Sequence, residues 1–208
     1  MRLLIFGASG RTGREIVNQA LEQGHEVTAF VRDPKKLTIK NSLHIIEGDA
    51  LLNQSSVAQA LSGQDAIICA LGRGNSFKSA GLIAGSMATI VPEAKKQDVR
   101  RLILISALGV GESSRNAPLV MRLVYRLLLA DIYRDKKAGE DIVKASDLDW
   151  IIVHPVVLTN GSQTGAYRVG ERLSLTGIPK ISRADVAHFA LAQLIDKTFL
   201  RKTAAIST

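Results

Sequence analysis

The sequence predicts an α/β fold, a doubly wound parallel sheet with helices on both faces. Short apolar runs alternate with longer segments of helical periodicity, and these runs lack the polar face that a half-exposed strand shows to solvent. The intervening segments are long enough for crossover helices, which parallel strands require. The predicted strands are Leu3–Phe6, Glu26–Val31, Leu43–Ile46, Ala66–Leu71, Leu102–Ile105 and Trp150–His154.

Sequence patterns that are typical of α-helices lie between these strands. The first helix is predicted over Arg11–Gln23, where apolar residues recur at helical spacing until Gly24 ends it. Near the end of the chain, Ser182 and Asp185 have the spacing of a capping box, which predicts a helix to about Ile195. The remaining predicted helices are Ser55–Ser62, Gly81–Gln97 and Lys136–Ser146.

Composition indicates an ordinary globular protein. Of the 208 residues, 46% are hydrophobic and 22% are charged, so the chain is able to bury a core. No linker-like stretch divides it, and we expect one domain over residues 1–208. The single cysteine, Cys69, excludes an intramolecular disulfide and the usual zinc spacings, so we expect no metal and a reducing cytoplasm. The apolar run Leu3–Phe6 is too short for a signal segment or a membrane span, which predicts no integral membrane contact.

The charge balance favours anionic ligands. Lys and Arg number 27 against 19 Asp and Glu, a formal net charge of +8. Nucleic acid is one candidate partner and a phosphorylated cofactor is another. Only 4% of residues are aromatic, and no basic stretch is interleaved with stacking rings. We therefore expect no nucleic acid.

The strongest functional motif joins the first predicted strand to the first helix. Its glycines recur at every third position: Gly7 permits a tight turn, Gly10 lets the backbone approach a pyrophosphate, and Gly13 lets the helix pack closely on the strand. Amides at the helix N-terminus then face the anion. This arrangement predicts a dinucleotide site of the Rossmann type. The expected cofactor contacts in the turn are Gly7, Ser9, Gly10, Arg11, Thr12 and Gly13.

The second predicted strand ends at the position where a Rossmann protein meets the adenosine ribose. Arg32 stands there, and a guanidinium suits a 2′-phosphate, whereas a carboxylate would pair with the free 2′-hydroxyl of NAD. This favours NADP(H) over NAD(H). Asp33 leaves two alternatives open, because its carboxylate either reaches the ribose or shapes the turn before Pro34.

The ends of the third and fourth strands complete the predicted cleft. Asp49 is placed either to accept from the adenine amino group or to form a turn. Small residues after the fourth strand would let the nicotinamide half lie against the backbone, and Arg73 meets either phosphate or solvent. The expected contacts here are Asp49, Ala50, Ala70, Leu71, Gly72 and Arg73.

Several short motifs carry a family resemblance over nearly the whole chain. They are Gly7 to Gly13, Val31-Arg32-Asp33, Gly48-Asp49, Gly63-Gln64-Asp65-Ala66, Ser106-Ala107 and Thr164-Gly165-Ala166-Tyr167. Together they resemble the biliverdin reductase B and NADPH-flavin reductase family, within the NmrA-like atypical short-chain dehydrogenases. The resemblance implies a small reductase that passes hydride from NADPH to a flavin, a tetrapyrrole such as biliverdin, or a quinone. Flavin is expected as substrate rather than as a tightly bound group, and the protein as a monomer or weak homodimer.

The resemblance also indicates residues near the nicotinamide. It implies that Ser106, at the end of the fifth strand, lies in the pocket. Family members that reduce biliverdin carry a histidine where this chain has Val157, which makes biliverdin less secure as a substrate than flavin. This chain instead has His154 before Pro155, either lining the pocket or held as a hydrogen-bonded strand-end histidine. We expect Ser106, His154 and Pro155 to contact the cofactor, and Ser106 and His154 to lie nearest the chemistry.

A Tyr-x-x-x-Lys spacing offers a weaker catalytic candidate. Tyr133 and Lys137 have the spacing by which short-chain dehydrogenases place a Tyr acid and a Lys that lowers its pKa. The family alignment through Glu140, however, indicates Lys136 as the cofactor contact. Substrate-side elements are expected at about 107–135 and 156–181. Two rival functions remain: an NmrA-like redox sensor without turnover, and a carbonyl-reducing dehydrogenase that would require Tyr133.

Overall fold

The computed structural model describes residues 1–37, 43–74, 76, 78–111, 113 and 129–208. Its strands are β1 (Arg2–Phe6), β2 (Glu26–Val31), β3 (Leu43–Glu47), β4 (Ala66–Cys69), β5 (Arg101–Ile105), β6 (Asp149–Pro155), β7 (Val157–Thr159), β8 (Arg168–Gly170), β9 (Lys180–Ser182) and β10 (Lys202–Ser207). Its α-helices are α1 (Arg11–Glu22), α2 (Gln54–Leu61), α3 (Leu82–Lys96), α4 (Ala130–Lys144) and α5 (Arg183–Ala192). Part of the predicted substrate-side element 107–135, residues 112 and 114–128, lies outside the described residues.

The main sheet has eight strands in the order β3-β2-β1-β4-β5-β6-β10-β8. Its strands run parallel except β8, which pairs antiparallel with β10, and β7 and β9 form a small parallel pair of their own. The chain winds outward from β1 in one direction and from β4 in the other. This reversal leaves a crevice beyond the carboxyl ends of β1 and β4, where doubly wound folds bind ligands. The predicted fold class is confirmed.

Both faces of the sheet are buried, which explains the uninterrupted apolar runs. In β1, Leu3 and Ile5 belong to the core cluster that includes α1 and α5. Leu4 and Phe6 belong to the cluster that includes α2, α3 and the end of α4. Alternate residues of each strand therefore serve opposite cores. Among the described helices, none combines the length and apolar character needed to cross a membrane.

Several elements differ from the sequence-based expectation. Strand β10 was not predicted, because Lys202–Ser207 is short and rich in alanine. Its pairing with β6 nevertheless buries Ala204 and Ile206 completely. Helix α4 begins at Ala130 rather than Lys136, so its first turns lie within the predicted substrate-side element. Strand β4 ends at Cys69, two residues earlier than expected.

The predicted capping box is present at the start of α5. Ser182 Oγ accepts a hydrogen bond from the Asp185 amide at 2.9 Å and donates to Asp185 Oδ2 at 2.7 Å. The other carboxylate oxygen, Oδ1, accepts from the amides of Thr164 and Gly165 at 2.7 and 2.9 Å. Asp185 thus joins the helix N-terminus to the Thr164–Tyr167 loop.

Replacing this cap should destabilise the fold measurably. Ser182→Ala removes one acceptor and one donor from a buried site, and we expect the free energy of unfolding to fall by about 1 to 2 kcal/mol. Urea denaturation followed by circular dichroism would measure it. The control is Ser55→Ala, at an exposed position within α2, which should change stability by less than about 0.5 kcal/mol. Equal effects of the two substitutions would contradict the assigned role of the cap.

Candidate functional site

Two adjoining cavities lie over the carboxyl ends of β1 and β4. The first, here called the Arg32 cavity, has a volume of about 280 Å³ and reaches Phe30, Arg32 and Asp49. The second, the Ser106 cavity, has a volume of about 300 Å³ and reaches Ser106 and Lys136. Both are lined by Gly10, Ala70, Leu71, Gly72, Arg73 and Gly74. The two cavities therefore form one cleft that crosses the point where the strand order reverses.

The glycine turn is packed so tightly that side chains are excluded. Gly7 has φ +79°, and a Cβ there would lie 2.6 Å from the Ala70 carbonyl oxygen. A Cβ on Gly13 would collide with the Gly7 carbonyl. The Gly10 amide donates to the Gly7 carbonyl at 2.9 Å, and Gly10 is the N-cap of α1. The first amides of α1 consequently begin beside the cleft, as an anion site requires.

The end of β2 places Arg32 and Asp33 in different roles. Asp33 Oδ1 accepts from the Lys35 amide at 3.0 Å and caps the short turn Pro34–Lys36. Its other oxygen lies 3.6 Å from Lys36 Nζ. The exposed Arg32 side chain instead lines the Arg32 cavity. The structure thus gives Asp33 the turn-forming role and leaves a cation at the ribose end of the cleft.

Asp49 has the turn-forming role and also lines the cleft. Its Oδ1 accepts from the Leu51 amide at 2.9 Å, and its own amide donates to Asn53 Oδ1 at 2.9 Å. The residue therefore forms a turn before α2. Asp49 and Ala50 also line the Arg32 cavity opposite the glycine turn.

The Ser106 cavity is strongly cationic. Arg11, Arg73, Lys136 and Arg183 line it, and none of the described lining residues is acidic. Burial lowers the pKa of Arg183, and the neighbouring charge of Arg11 lowers that pKa further. Positive groups held this close together favour an anion between them. Apolar surface from Ile105, Ile132 and Leu158 completes the wall.

Ser106 belongs to a buried polar network. It follows β5, and its hydroxyl donates to Glu140 Oε1 of α4 at 2.6 Å. His154 Nε2 lies 2.8 Å from the same oxygen, and Lys144 Nζ donates to Glu140 Oε2 at 3.2 Å. Burial alone would raise the pKa of the Glu140 carboxyl, but the bonds to His154 and Ser106 and the charge of Lys144 outweigh burial and lower it.

His154 lies on the far side of this network from the cleft. Its Nδ1 is 2.9 Å from Ser113 Oγ, and it lines a third cavity of about 560 Å³ together with Trp150 and Lys144. This third space is called the Trp150 cavity below. His154 therefore reaches the Ser106 cavity through Glu140 rather than by facing it. Pro155 ends β6 directly after it.

Helix α4 directs its two neighbouring lysines differently. Lys136 lines the Ser106 cavity, where burial lowers its pKa against the opposing charges of Glu140, Cys69 and Asp135. Lys137 is exposed and pairs with Asp141 at 2.6 Å. Lys136 is thus the lysine at the cleft.

Tyr133 points its hydroxyl at the protein backbone. The hydroxyl donates to the Leu108 carbonyl at 3.0 Å. A proton donor to substrate would have to break that bond first. Val157, which stands where biliverdin-reducing relatives have histidine, is partly exposed on β7.

Two contributors to the site were missed by sequence reasoning. Glu140 served only to align the family's lysine, and Arg183, which lies between the capping residues Ser182 and Asp185, was given no role. Strand parity offered a signal for Glu140. Ser106 and His154 come one step after the paired residues Ile105 and Val153, so both side chains point to the face that α4 covers.

Fold and cleft together have the form of a dinucleotide-binding protein. A family model described as NAD(P)H-binding matches residues 7–197, and the chain belongs to this family. The broader part of the resemblance stated above, to the NmrA-like atypical short-chain dehydrogenases, is confirmed. Membership of the biliverdin reductase B branch stays a prediction.

Relatives with this fold span most of the chain. The uncharacterized protein YwnB of Bacillus subtilis is 26% identical over 200 residues, which cover 93% of this chain and 91% of that protein. ChuY, an anaerobillin reductase from Escherichia coli O157:H7, has 24% identity and a TM-score of 0.82 over 99% of this chain and 96% of its own. A short-chain dehydrogenase/reductase from Veillonella parvula in complex with NADP has 19% identity and a TM-score of 0.80 over 100% and 94%. At sequence identities this low, similarity to the two solved structures shows that they share the fold of this chain.

Cys69 should be chemically silent in the folded protein. It is completely buried in β4, and burial raises the pKa of its thiol to about 11. At pH 8 only about one thiol in a thousand would be ionised, and the thiolate is the reactive form. We expect no iodoacetamide labelling of native protein within an hour and full labelling in guanidinium, measured by mass spectrometry. Rapid native labelling would show that β4 opens.

Proposed function

We propose that the protein is an NADPH-dependent reductase that transfers hydride to a flavin or a related conjugated acceptor, a tetrapyrrole such as biliverdin or a quinone. One observation carries the proposal: the cleft continues from the glycine turn and Arg32 into a second cavity of about 300 Å³ beside Ser106. The nicotinamide end of the dinucleotide would enter this second cavity beside Ser106. The walls formed there by Ile132, Leu158 and Arg183 lie beyond the residues that the two cavities share, and they supply a surface for an acceptor ring.

The residues of the cleft fit a phosphorylated dinucleotide. The glycine turn offers backbone amides where a Cβ would be excluded, and Arg32 offers a guanidinium to a 2′-phosphate that Asp33 does not compete for. Ala70 and Leu71 present the flat end of β4 along the middle of the cleft. Lys136 and Ser106 follow at the far end. When bound, NADPH would supply the hydride.

The walls of the Ser106 cavity indicate an acceptor that is apolar and anionic at once. Ile105, Ile132 and Leu158 suit the face of a conjugated ring, while Arg183 and Arg11 suit a carboxylate or phosphate at its edge. Flavin phosphates and tetrapyrrole carboxylates both have this character. Holding the two rings together is the main task of the protein in such a hydride transfer.

The geometry of the cleft gives less support to the two rival functions. A redox sensor that only binds the dinucleotide has no use for an apolar wall and a cationic edge beyond the residues that hold the cofactor. A carbonyl-reducing dehydrogenase requires an acid at the developing alkoxide, and the hydroxyl of Tyr133 is bonded to the Leu108 carbonyl instead. The reductase named ChuY shares the fold over nearly the whole chain, which supports the proposal.

An acceptor screen tests the reductase. Purified protein is mixed with NADPH and, in separate reactions, FMN, riboflavin, biliverdin and a simple quinone, while the reduced nicotinamide absorbance is followed. We expect oxidation that requires both the protein and an acceptor, and a higher kcat/KM for FMN than for riboflavin because only FMN carries a phosphate. Tight NADPH binding without turnover on any acceptor would replace the reductase with a sensor.

Cofactor preference should depend on Arg32. Arg32→Gln removes a charge-assisted partner of the 2′-phosphate, and we expect NADPH affinity to fall about 10- to 100-fold with NADH affinity nearly unchanged. Isothermal titration calorimetry on both cofactors would measure this. Arg168→Gln, on exposed β8 outside the cleft, is the matched control. A parallel loss for both cofactors would show that Arg32 does not read the 2′-phosphate.

A further inference from the structure

A buried ion pair lies beside the proposed active site and is not used by the reaction described so far. Glu140 is 1% exposed and His154 is 2% exposed. Burying a carboxylate is expensive unless charges and hydrogen bonds compensate it, and Glu140 has three donors in Ser106, His154 and Lys144. One of these donors, Ser106, lines the cleft. The pair therefore connects directly to the site.

A hydrogen-bond acceptor lies against each ring nitrogen of His154. Ser113 Oγ donates to the Val110 carbonyl at 2.7 Å and accepts from the Gly109 amide at 2.9 Å. Since its hydrogen is used, Ser113 offers a lone pair to His154 Nδ1 at 2.9 Å. Nε2 faces the carboxylate of Glu140 at 2.8 Å. The pattern is that of an imidazolium held against a carboxylate.

Ser106 has the complementary arrangement. Its only hydrogen points to Glu140 at 2.6 Å, away from the cleft. For Ser106 to give a proton to a substrate, it must receive another one from Glu140. His154 is the group that holds a spare proton next to the same carboxylate oxygen, Oε1.

We propose that Glu140 and His154 form a proton store that recharges Ser106 during turnover. This rests on the reductase function proposed above. In each turnover the acceptor gains a hydride from bound NADPH and becomes an anion, and the O–H bond of Ser106 breaks as its proton passes to that anion. The Nε2–H bond of His154 then breaks, and its proton passes through Oε1 of Glu140 to Ser106 Oγ. The net result is one hydride and one proton added to the acceptor, with His154 left neutral.

Lys144 provides the connection to water. Its side chain is 40% exposed, and its Nζ donates to Glu140 Oε2 at 3.2 Å. A proton lost from Lys144 Nζ to Glu140 passes on to His154 Nε2, and solvent returns one to Lys144. Glu140 is thus the junction of two paths, inward to Ser106 and outward to solvent. Lys136 lies at the other end of the same helix face, within the cleft.

The proton store formed by Glu140 and His154 should affect the rate only for acceptors that need a proton when they are reduced. A reduced isoalloxazine ring is stable as an anion near neutral pH, whereas a reduced quinone or tetrapyrrole is a much stronger base. Glu140→Gln keeps the shape of the side chain but removes its charge and its capacity to carry a proton. We expect kcat for the quinone and biliverdin to fall about 100-fold more than kcat for FMN.

The control is Asp141→Asn, the adjacent exposed carboxylate of α4, which pairs with Lys137 and should leave all rates unchanged. In His154→Ala, added imidazole should restore quinone reduction as its concentration rises, because a free acid replaces the missing store. A general structural defect would slow FMN and the quinone equally and would not respond to imidazole. That result would overturn the proposal while leaving the reductase intact.

A measurement without turnover separates the two proposals. Nitrogen NMR of protein labelled in its histidines should show His154 as imidazolium in the wild type and in Asp141→Asn, and as neutral imidazole in Glu140→Gln. If no acceptor is reduced, the proposed reductase function is wrong, but the NMR spectrum still tests whether Glu140 and His154 hold the proton. An unchanged His154 spectrum in Glu140→Gln would overturn the store, whatever the activity.

Discussion

The close crossing of α1 over the end of β1 is the constraint on which the site depends. It requires Gly13 to face the Gly7 carbonyl without a Cβ between them, and it sets the first amides of α1 at the mouth of the crevice. Because Gly7 also touches the Ala70 carbonyl, the same turn fixes the spacing between β1 and β4. The crevice therefore has its shape before any side chain is considered, and the polar groups of the cleft are arranged around it.

The second constraint is the buried carboxylate of Glu140. Its lowered pKa means that the folded state favours the ionised form more than the unfolded chain does. The resulting stabilisation is present above the ordinary carboxyl pKa and is lost as pH falls through the folded value. A fold that needed only packing at this position would be served better by an apolar residue. The retained charge supports the proposed proton store beside Ser106.

The sequence predicted most of the sheet and half of the site, and the division has a physical basis. Periodicity and the glycine turn are local patterns, so β1 to β6 and the cofactor end of the cleft followed from them. The pairing of β10 with β6 is a contact between distant segments, and its alanines carry no pattern of their own. Two of the partners of Glu140, Ser106 after β5 and His154 in β6, come from distant segments, so no single segment contains that network. The side on which His154 lies was readable from strand parity only once Ser106 was known to be its neighbour.

One end of the cleft is formed mainly by backbone and the other mainly by side chains. This difference determines how much the family assignment says about each end. The end at the glycine turn relies on backbone, where a Cβ on Gly7 or Gly13 would collide with neighbouring backbone atoms. The acceptor end relies on side chains of α4, β7 and the start of α5, such as Lys136, Leu158 and Arg183. Changes at those positions leave the glycine turn untouched. The NAD(P)H-binding family assignment therefore bears on the dinucleotide end of the cleft and does not identify the proposed acceptor.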